Sequence, residues 1–486
     1  MTTELGSKPW AGKIYVDGQF REAEGAAVAT VLDKGRNEEL AQAGIASPKD
    51  LEGAVASARK AQPEWAAQGY DVRAGLLRKV AGLIEQRADE IADLLIRETG
   101  CIRGKAEYEV GASMNECWEA AALTSRATAE VIPSHNTGKL SLIQRIPVGV
   151  VGAITPWNVP LYLNIAETVP ALMAGNTVVL KPAQLTPWSG SELGRIIAEH
   201  TDIPPGVFNV VISNANEVGA ALSADPRVDM ITFTGSTATG RKILAAAAPT
   251  VKKTLLELGG KSAHIVLDDA DFNSALPMAA MIACVMSGQS CILPSRILLP
   301  RSRYDEGIEI LKTSMENFPI GDPWTPGVMQ GPQISEQQRQ KVLGLIRSGI
   351  DSGARLITGG GIPENLPIGY YTQPTLLADV DPNSQVAQEE IFGPVLTVTP
   401  YDTEDEAVAI ANNTIYGLSG EVSSADVDRA FRVATRMRTG NVTINGRSHF
   451  GINSPFGGTK QSGLGYRNGD EGYKEYLEIK TIGMPE

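Results

Sequence analysis

From about residue 148 onward the chain alternates short, continuous apolar runs with helical stretches, and no other pattern constrains its fold as tightly. Val148-Gly149-Val150-Val151-Gly152-Ala153-Ile154, Asn176-Thr177-Val178-Val179-Leu180, Val207-Phe208-Asn209-Val210-Val211 and Met230-Ile231-Thr232-Phe233 each read as a strand buried on both faces. Such strands belong to parallel sheets, because the crossover helices that join them cover both sides. A second series follows: His264-Ile265-Val266-Leu267, Arg296-Ile297-Leu298-Leu299, Val395-Leu396-Thr397-Val398 and Val442-Thr443-Ile444. The two series predict two doubly wound α/β domains of similar size.

Upstream, residues 48–98 carry apolar side chains at helical spacing, as in Leu76, Leu77, Val80, Leu83 and Ile84, opened by Pro48-Lys49-Asp50. Residues 128–147 read as a hairpin around the turn-forming stretch 134–138. Residues 473–482 read as a last strand able to add to another sheet edge. A length of 486 residues sets a prior of about three domains.

Charge narrows the partners. Acidic residues number 56 and basic residues 43, a formal net charge of −13. That balance opposes binding to nucleic acid or to anionic membranes. No apolar run approaches the roughly 18 residues of a membrane span, and residues 1–10 lack the apolar centre of a signal peptide. A cytoplasmic placement and a small-molecule ligand are expected. Four cysteines in a chain this long do not form a disulfide framework. They show no CxxC spacing, and the four histidines are scattered, so no metal site is expected.

Four segments carry chemistry. No GxGxxG follows a strand; in its place stands Phe233-Thr234-Gly235-Ser236-Thr237-Ala238-Thr239-Gly240, after a strand and opening a helix. It suits phosphate at a helix N-terminus, and equally an ordinary N-cap. Cys291, in Gly288-Gln289-Ser290-Cys291, is either a core residue or a nucleophile. Cys284, seven residues earlier, would share a helical face with it. Glu257, in Leu255-Leu256-Glu257-Leu258-Gly259-Gly260-Lys261, is a carboxylate in an apolar run. Burial would raise its pKa and suit it to general-base work; a solvated strand end is the plainer reading. Asn158, between Pro156 and Pro160, is an oxyanion donor or a turn residue.

Taken in order, Thr155-Pro156-Trp157-Asn158, Phe233-Thr234-Gly235-Ser236, Glu257-Leu258-Gly259-Gly260-Lys261, Gly288-Gln289-Ser290-Cys291, Glu390-Ile391-Phe392-Gly393-Pro394 and Pro455-Phe456-Gly457-Gly458 resemble the aldehyde dehydrogenase superfamily. The resemblance spans nearly the whole chain, about residues 12–482. The N-terminal half and the tail around Tyr466-Arg467 look like the benzaldehyde-oxidising branch.

The resemblance implies an aldehyde dehydrogenase-like fold. Residues 1–127 and 148–258 would bind the dinucleotide, and 259–455 would form the catalytic domain. Residues 128–147 and 456–486 would form an oligomerisation arm of a homodimer or homotetramer. It implies NAD or NADP, with NAD favoured and NADP tolerated, in a Rossmann variant without the glycine fingerprint. Cys291 would attack the aldehyde, Asn158 would hold the oxyanion, and Glu257 would activate water to hydrolyse the thioester. Trp157, Lys181, Gln184, Gly235, Ser236, Glu390 and Phe392 would contact the cofactor. Val159, Leu163, Ala166, Val285, Phe450 and Phe456 would line an apolar, fairly roomy substrate tunnel, favouring aromatic or terpenoid-like aldehydes.

Departures from the family pattern sharpen these expectations. Gln184 stands where many NAD-preferring members carry Glu, so a 2′-phosphate meets less repulsion. Glu167 and Arg467 stand where many hydrolytic members carry Lys and Glu, which makes them either a reversed ion pair or two unrelated surface charges. Arg447, turned inward, would favour an acidic semialdehyde. The alternatives are a semialdehyde dehydrogenase, a CoA-acylating member, a nucleotide-free thiol hydrolase and, from another class, a catalytically silent structural or binding relative.

Overall fold

The computed structural model describes residues 5–123, 129–133, 139–214, 216–446 and 451–484. Among these residues, a first sheet of eight strands has five parallel strands at its centre. In spatial order they are Lys253–Glu257, Met230–Thr234, Val150–Ile154, Thr177–Lys181 and Phe208–Val210. Four of these runs were legible as strands from their apolar continuity. The sheet is closed at one edge by the antiparallel strands Ile14–Val16 and Gln19–Arg21. At the other edge stands the short antiparallel strand Gly463–Leu464.

Both faces of this sheet are covered, as continuous apolar strands require. One face packs on the helices Tyr70–Gln86, Ala88–Thr99, Arg103–Ala122, Pro160–Met173 and Trp188–His200 through Leu77, Val80, Ile84, Leu95, Ile165 and Leu193. The other packs on the helices Pro48–Ala67, Asn216–Ala224 and Thr237–Ala247 through Val55, Leu222 and Ile243. The first of these, Pro48–Ala67, starts where the sequence signals it. Ser47 caps the helix by accepting from the Asp50 amide, and Asp50 returns the bond to the Ser47 amide. Such a box satisfies two otherwise orphan donors.

The second sheet has seven strands in the order Arg355–Thr358, Thr375–Ala378, Val395–Tyr401, Arg296–Pro300, Ala263–Val266, Gly420–Ser423 and Thr443–Ile444. All neighbours are parallel except the first pair. The fold is therefore α/β with two doubly wound parallel sheets. Sequence reading passed over Gly420–Ser423 because polar residues interrupt it. Those polar groups are satisfied from the adjacent strand, where His264 Nε2 lies 2.8 Å from Ser423 Oγ.

The hairpin forms from Ala129–Pro133 and Leu140–Pro147, and Leu477–Gly483 adds antiparallel to its second strand. The turn of the hairpin, 134–138, lies outside the described residues. Of the segment 456–486, only Leu477–Gly483 joins the hairpin; Gly463–Leu464 pairs with the edge of the first sheet instead, with Gly463 opposite Glu257. That strand is drawn to the edge because Leu256 and Glu257 would otherwise leave main-chain groups unpaired.

No helix among the described residues is long and apolar enough to cross a membrane.

Candidate active site

The carboxyl ends of parallel strands gather the first group of site residues. In the first sheet the chain order runs outward on one side of Val150–Ile154 and then resumes on its other side with Met230–Thr234. Crevices for ligands form at such a reversal. Trp157 and Asn158 leave the end of Val150–Ile154, and Gly235 and Ser236 leave the end of Met230–Thr234. Lys181 ends Thr177–Lys181, and Glu257 ends Lys253–Glu257. Six of the sequence-predicted residues thus converge because their strands are neighbours.

Asn158 is held, not merely present. Its Nδ2 donates to the main-chain carbonyl of Gln289 at 3.0 Å, which ties it to the loop that carries Cys291. It precedes the helix Pro160–Met173, whose first amides are capped from outside: Leu161 N donates to Glu109 Oε1 at 2.7 Å. Glu109 is fully buried and pairs with Lys105. Sequence reading missed both residues, since their spacing is that of any exposed i,i+4 pair.

The Cys291 loop is pinned from several sides. The helix Phe272–Val285 ends before it, so Cys284 and Cys291 do not share a helical face. Ser287 and Gly288 adopt positive φ of 54° and 69°, which stops the helix and turns the chain. A side chain at Gly288 would stand 1.9 Å from the Gly393 main chain, so only glycine fits. Ser287 Oγ donates to Gly331 O, and Gln289 Oε1 accepts from Ile334 N.

Cys291 is partly exposed, whereas Cys117 and Cys284 are buried. Burial of its sulfur pushes the thiol up to about 12, and the Glu390 and Glu257 carboxylates push the same way. It therefore rests protonated. Glu257 is 3% exposed, and neither carboxylate oxygen has a hydrogen-bond partner among the described residues. Burial pushes its pKa up to about 8; Arg467 pulls it down and Glu167 adds to the rise. Of the two readings open for Glu257, the structure shows the buried carboxylate and not the solvated strand end.

Arg467 and Glu167 do pair. Arg467 Nη2 lies 2.6 Å from Glu167 Oε1, and both side chains are buried. Thr234 bonds to both of them, and Thr232 donates to Glu167 as well. Burial opposes the Arg467 charge, but Glu167 and Glu257 more than offset it, so the guanidinium holds its proton tightly.

On the other side of Cys291, Glu390 Oε1 accepts from Gly260 N at 3.0 Å. The Trp157 and Phe392 rings meet edge-to-face at 5.2 Å between centroids, bringing the two sheets' loops together. The donor set fits a dinucleotide. Ser236 caps the helix Thr237–Ala247 and is exposed, leaving that N-terminus open to an anion. Gly240 lets this helix approach the sheet, since a Cβ there would meet Leu258 at 2.7 Å. Lys181 is partly exposed and Gln184 exposed beside it. No part of this requires the classical glycine fingerprint, because a hydroxyl-capped helix end supplies the amides.

A small pocket reaches Asn158, Trp157, Val285 and Gln289, and extends to Cys101 and Lys105. Of the expected tunnel residues, Val159, Val285 and Phe456 are partly exposed and Leu163 is nearly buried. Ala166 is fully buried, one residue before Glu167. Phe450 and Arg447 lie outside the described residues.

Comparison with known proteins agrees with this geometry. Residues 20–482 match the model of the aldehyde dehydrogenase family. The chain is 41% identical to a 3-succinoylsemialdehyde-pyridine dehydrogenase of a Pseudomonas species, over 97% of this chain and 98% of that protein. It is 41% identical to a vanillin dehydrogenase of an Amycolatopsis species, over 96% and 94%. The crystal structure of a Mycobacterium tuberculosis aldehyde dehydrogenase complexed with NAD+ superposes with a TM-score of 0.95 at 40% identity, covering 98% of both chains. The chain belongs to the aldehyde dehydrogenase family. It is an aldehyde dehydrogenase.

Proposed function

We propose that this enzyme oxidises an apolar, aromatic or terpenoid-like aldehyde to its acid through a thioester on Cys291. The observation that carries the reading is Glu257: a buried carboxylate with no partner among the described residues, close enough to act electrostatically on Cys291. A buried, unpaired carboxylate costs stability, and active sites are where such costs concentrate.

Cys291 adds to the aldehyde carbon once its proton has passed to Glu257. The Asn158 amide, together with the Cys291 main-chain N–H, stabilises the oxyanion of the thiohemiacetal. NAD, when bound, supplies the acceptor for the hydride that leaves this carbon. The thioester that remains is hydrolysed by water, which Glu257 activates after giving up its proton. Lys181, Gln184, Gly235 and Ser236 would hold the adenosine and pyrophosphate side of the cofactor, Glu390 its nicotinamide ribose, with Phe392 near the ring and Trp157 helping to line the site. The first sheet's body is the cofactor domain and the second the catalytic domain.

Val159, Leu163, Val285 and Phe456 supply the apolar wall. The vanillin dehydrogenase relative supports an aromatic substrate. The succinoylsemialdehyde-pyridine relative supports a second reading, an aromatic ring that bears a semialdehyde chain. Exposed Val131, Ile132, Leu140 and Ile479 on the three-stranded sheet support self-association through this arm.

Reduced-nicotinamide absorbance with NAD and NADP decides the matter, run against benzaldehyde, a long aliphatic aldehyde, a monoterpenoid aldehyde and succinic semialdehyde. Cys291-dependent turnover of the apolar aldehydes is expected. Turnover of succinic semialdehyde alone would reverse the substrate assignment. A product formed only on adding CoA would assign a CoA-acylating enzyme.

A further inference from the structure

We propose that a small anion of chloride size binds in a pocket at the amino ends of the second sheet's strands, held by Lys261 Nζ and Ser262 Oγ. Lys261, Ser262, Arg296, Thr414, Tyr416 and Met437 are among the residues that line this pocket. Lys261 and Ser262 precede the strand Ala263–Val266, and Arg296 opens the neighbouring strand Arg296–Pro300. Lys261 is 1% exposed and Ser262 4%. Neither Lys261 Nζ nor Ser262 Oγ has a hydrogen-bond partner among the described residues. Buried polar atoms are nearly always satisfied, by protein or by a bound group. A buried ammonium is costlier still to leave unpaired.

Charge decides what fills the space. Among the described residues, no carboxylate lines the pocket. Arg296 is buried and directs its guanidinium to main-chain carbonyls. Its Nε donates to Lys261 O at 2.8 Å, Nη1 to Ile410 O at 3.0 Å and Nη2 to Ala411 O at 2.7 Å. These bonds satisfy its N–H groups and leave its charge unbalanced. Lys460 Nζ donates to Asn412 O at 2.9 Å and to Thr414 O at 3.2 Å, so a third cation stands beside the same wall. Water would satisfy the free donors but not the charge; an anion does both. The pocket has room for a water-sized occupant, which suits a halide and is too small for phosphate or a metabolite carboxylate.

The position gives the anion a role. Lys261 follows Gly260, whose amide donates to Glu390 Oε1 at 3.0 Å. A Cβ on Gly260 would stand 2.3 Å from Cys291 O, so this segment also backs the Cys291 loop. An anion on Lys261 braces the segment between the two. The charged groups facing Lys261 are Arg296, Glu390, Glu389 and Lys341, the last on the helix Glu336–Asp351. Burial pushes the Lys261 ammonium down to about 7; Arg296 pushes the same way and Glu390 opposes. The anion binds the charged form, so occupancy is favoured below about pH 7 and falls as pH rises through it.

The test melts the full-length enzyme in potassium chloride and in potassium gluconate at equal ionic strength, at about pH 6 and about pH 9. At the lower pH, Tm should rise with chloride and saturate; at the higher pH the rise should be smaller. Lys261→Met should abolish the chloride dependence, whatever its own Tm. Ser262→Ala, a milder change, should raise the half-saturating chloride concentration by about tenfold. Crystals soaked in bromide should give an anomalous peak within hydrogen-bond reach of Lys261 Nζ. Water alone in the pocket, with no bromide peak, would overturn the proposal. So would a chloride dependence as large in Lys261→Met as in the wild type. Should Lys261→Met not fold, unchanged half-saturation in Ser262→Ala would overturn it equally.

Discussion

Arg467 Nη2 and Glu167 Oε1 stand 2.6 Å apart beneath the site, with Thr232 and Thr234 bonding the same carboxylate. Glu167 comes from the helix Pro160–Met173 and Arg467 from the last twenty residues of the chain, so the pair fastens the C-terminal segment to the body of the first sheet. Breaking one partner of a buried pair costs about 3–5 kcal/mol. Arg467→Met and Glu167→Gln should each destabilise by that order in urea unfolding. The double variant should lose less than the sum, with a coupling of about 0.5–3 kcal/mol. A coupling near zero would mean the two charges act independently.

Glu257 sets a pH dependence in both activity and stability. Its folded pKa, about 8, lies above the value of a free carboxylate. The base form grows as pH rises through 8, so thioester hydrolysis should rise with an inflexion there, and Glu257→Gln should abolish that inflexion. For stability the sign is opposite. Between about pH 4.5 and 8 the folded state holds the proton and the unfolded state does not, so the Glu257 contribution falls as pH rises. Glu257→Gln should therefore gain stability relative to wild type across that window, read as a rising difference in Tm.

Asn158→Ala removes the side-chain donor to the oxyanion. Loss of one such donor typically costs about 10²–10³ in kcat. The slowed step should be acylation, seen as a slower first turnover of reduced nicotinamide, with cofactor affinity little changed. The variant also frees the Gln289 carbonyl that Asn158 holds. A rise confined to KM would point to substrate positioning alone.

Gly288→Ala tests the turn that presents Cys291. The new methyl would meet the Gly393 main chain at 1.9 Å, and φ at this position is 69°. A strained backbone of this kind costs about 1–3 kcal/mol before any displacement of Gly393. We expect a lowered Tm and slower modification of Cys291 by iodoacetamide. Wild-type values in both would show that the loop accommodates a side chain.

Gln184→Glu should raise the KM for NADP more than that for NAD, because a carboxylate there repels a 2′-phosphate. Equal effects on the two cofactors would place Gln184 away from the adenosine ribose.

Much of this molecule was legible in its residues. Continuous apolar runs identified Val150–Ile154, Thr177–Lys181 and Met230–Thr234 as buried parallel strands, because only a doubly covered sheet removes every side chain of a run from water. The roles expected of Cys291, Glu257 and Asn158 came from the resemblance that the ordered motifs carry together, since each residue alone also fits a plainer structural reading. Strand Gly420–Ser423 was not legible, since its polar groups find partners only on the neighbouring strand.

The sequence by itself determined the local alphabet: which runs become strands, where Ser47 and Pro48 start a helix, which residues can act as acid, base or nucleophile. Only the tertiary structure decided the electrostatics. Glu257 is an ordinary carboxylate until the strands around it exclude water, and Arg467 meets Glu167, 300 residues away, only once the chain has folded. Burial and distance between remote residues are properties of packing, and no local pattern carries them.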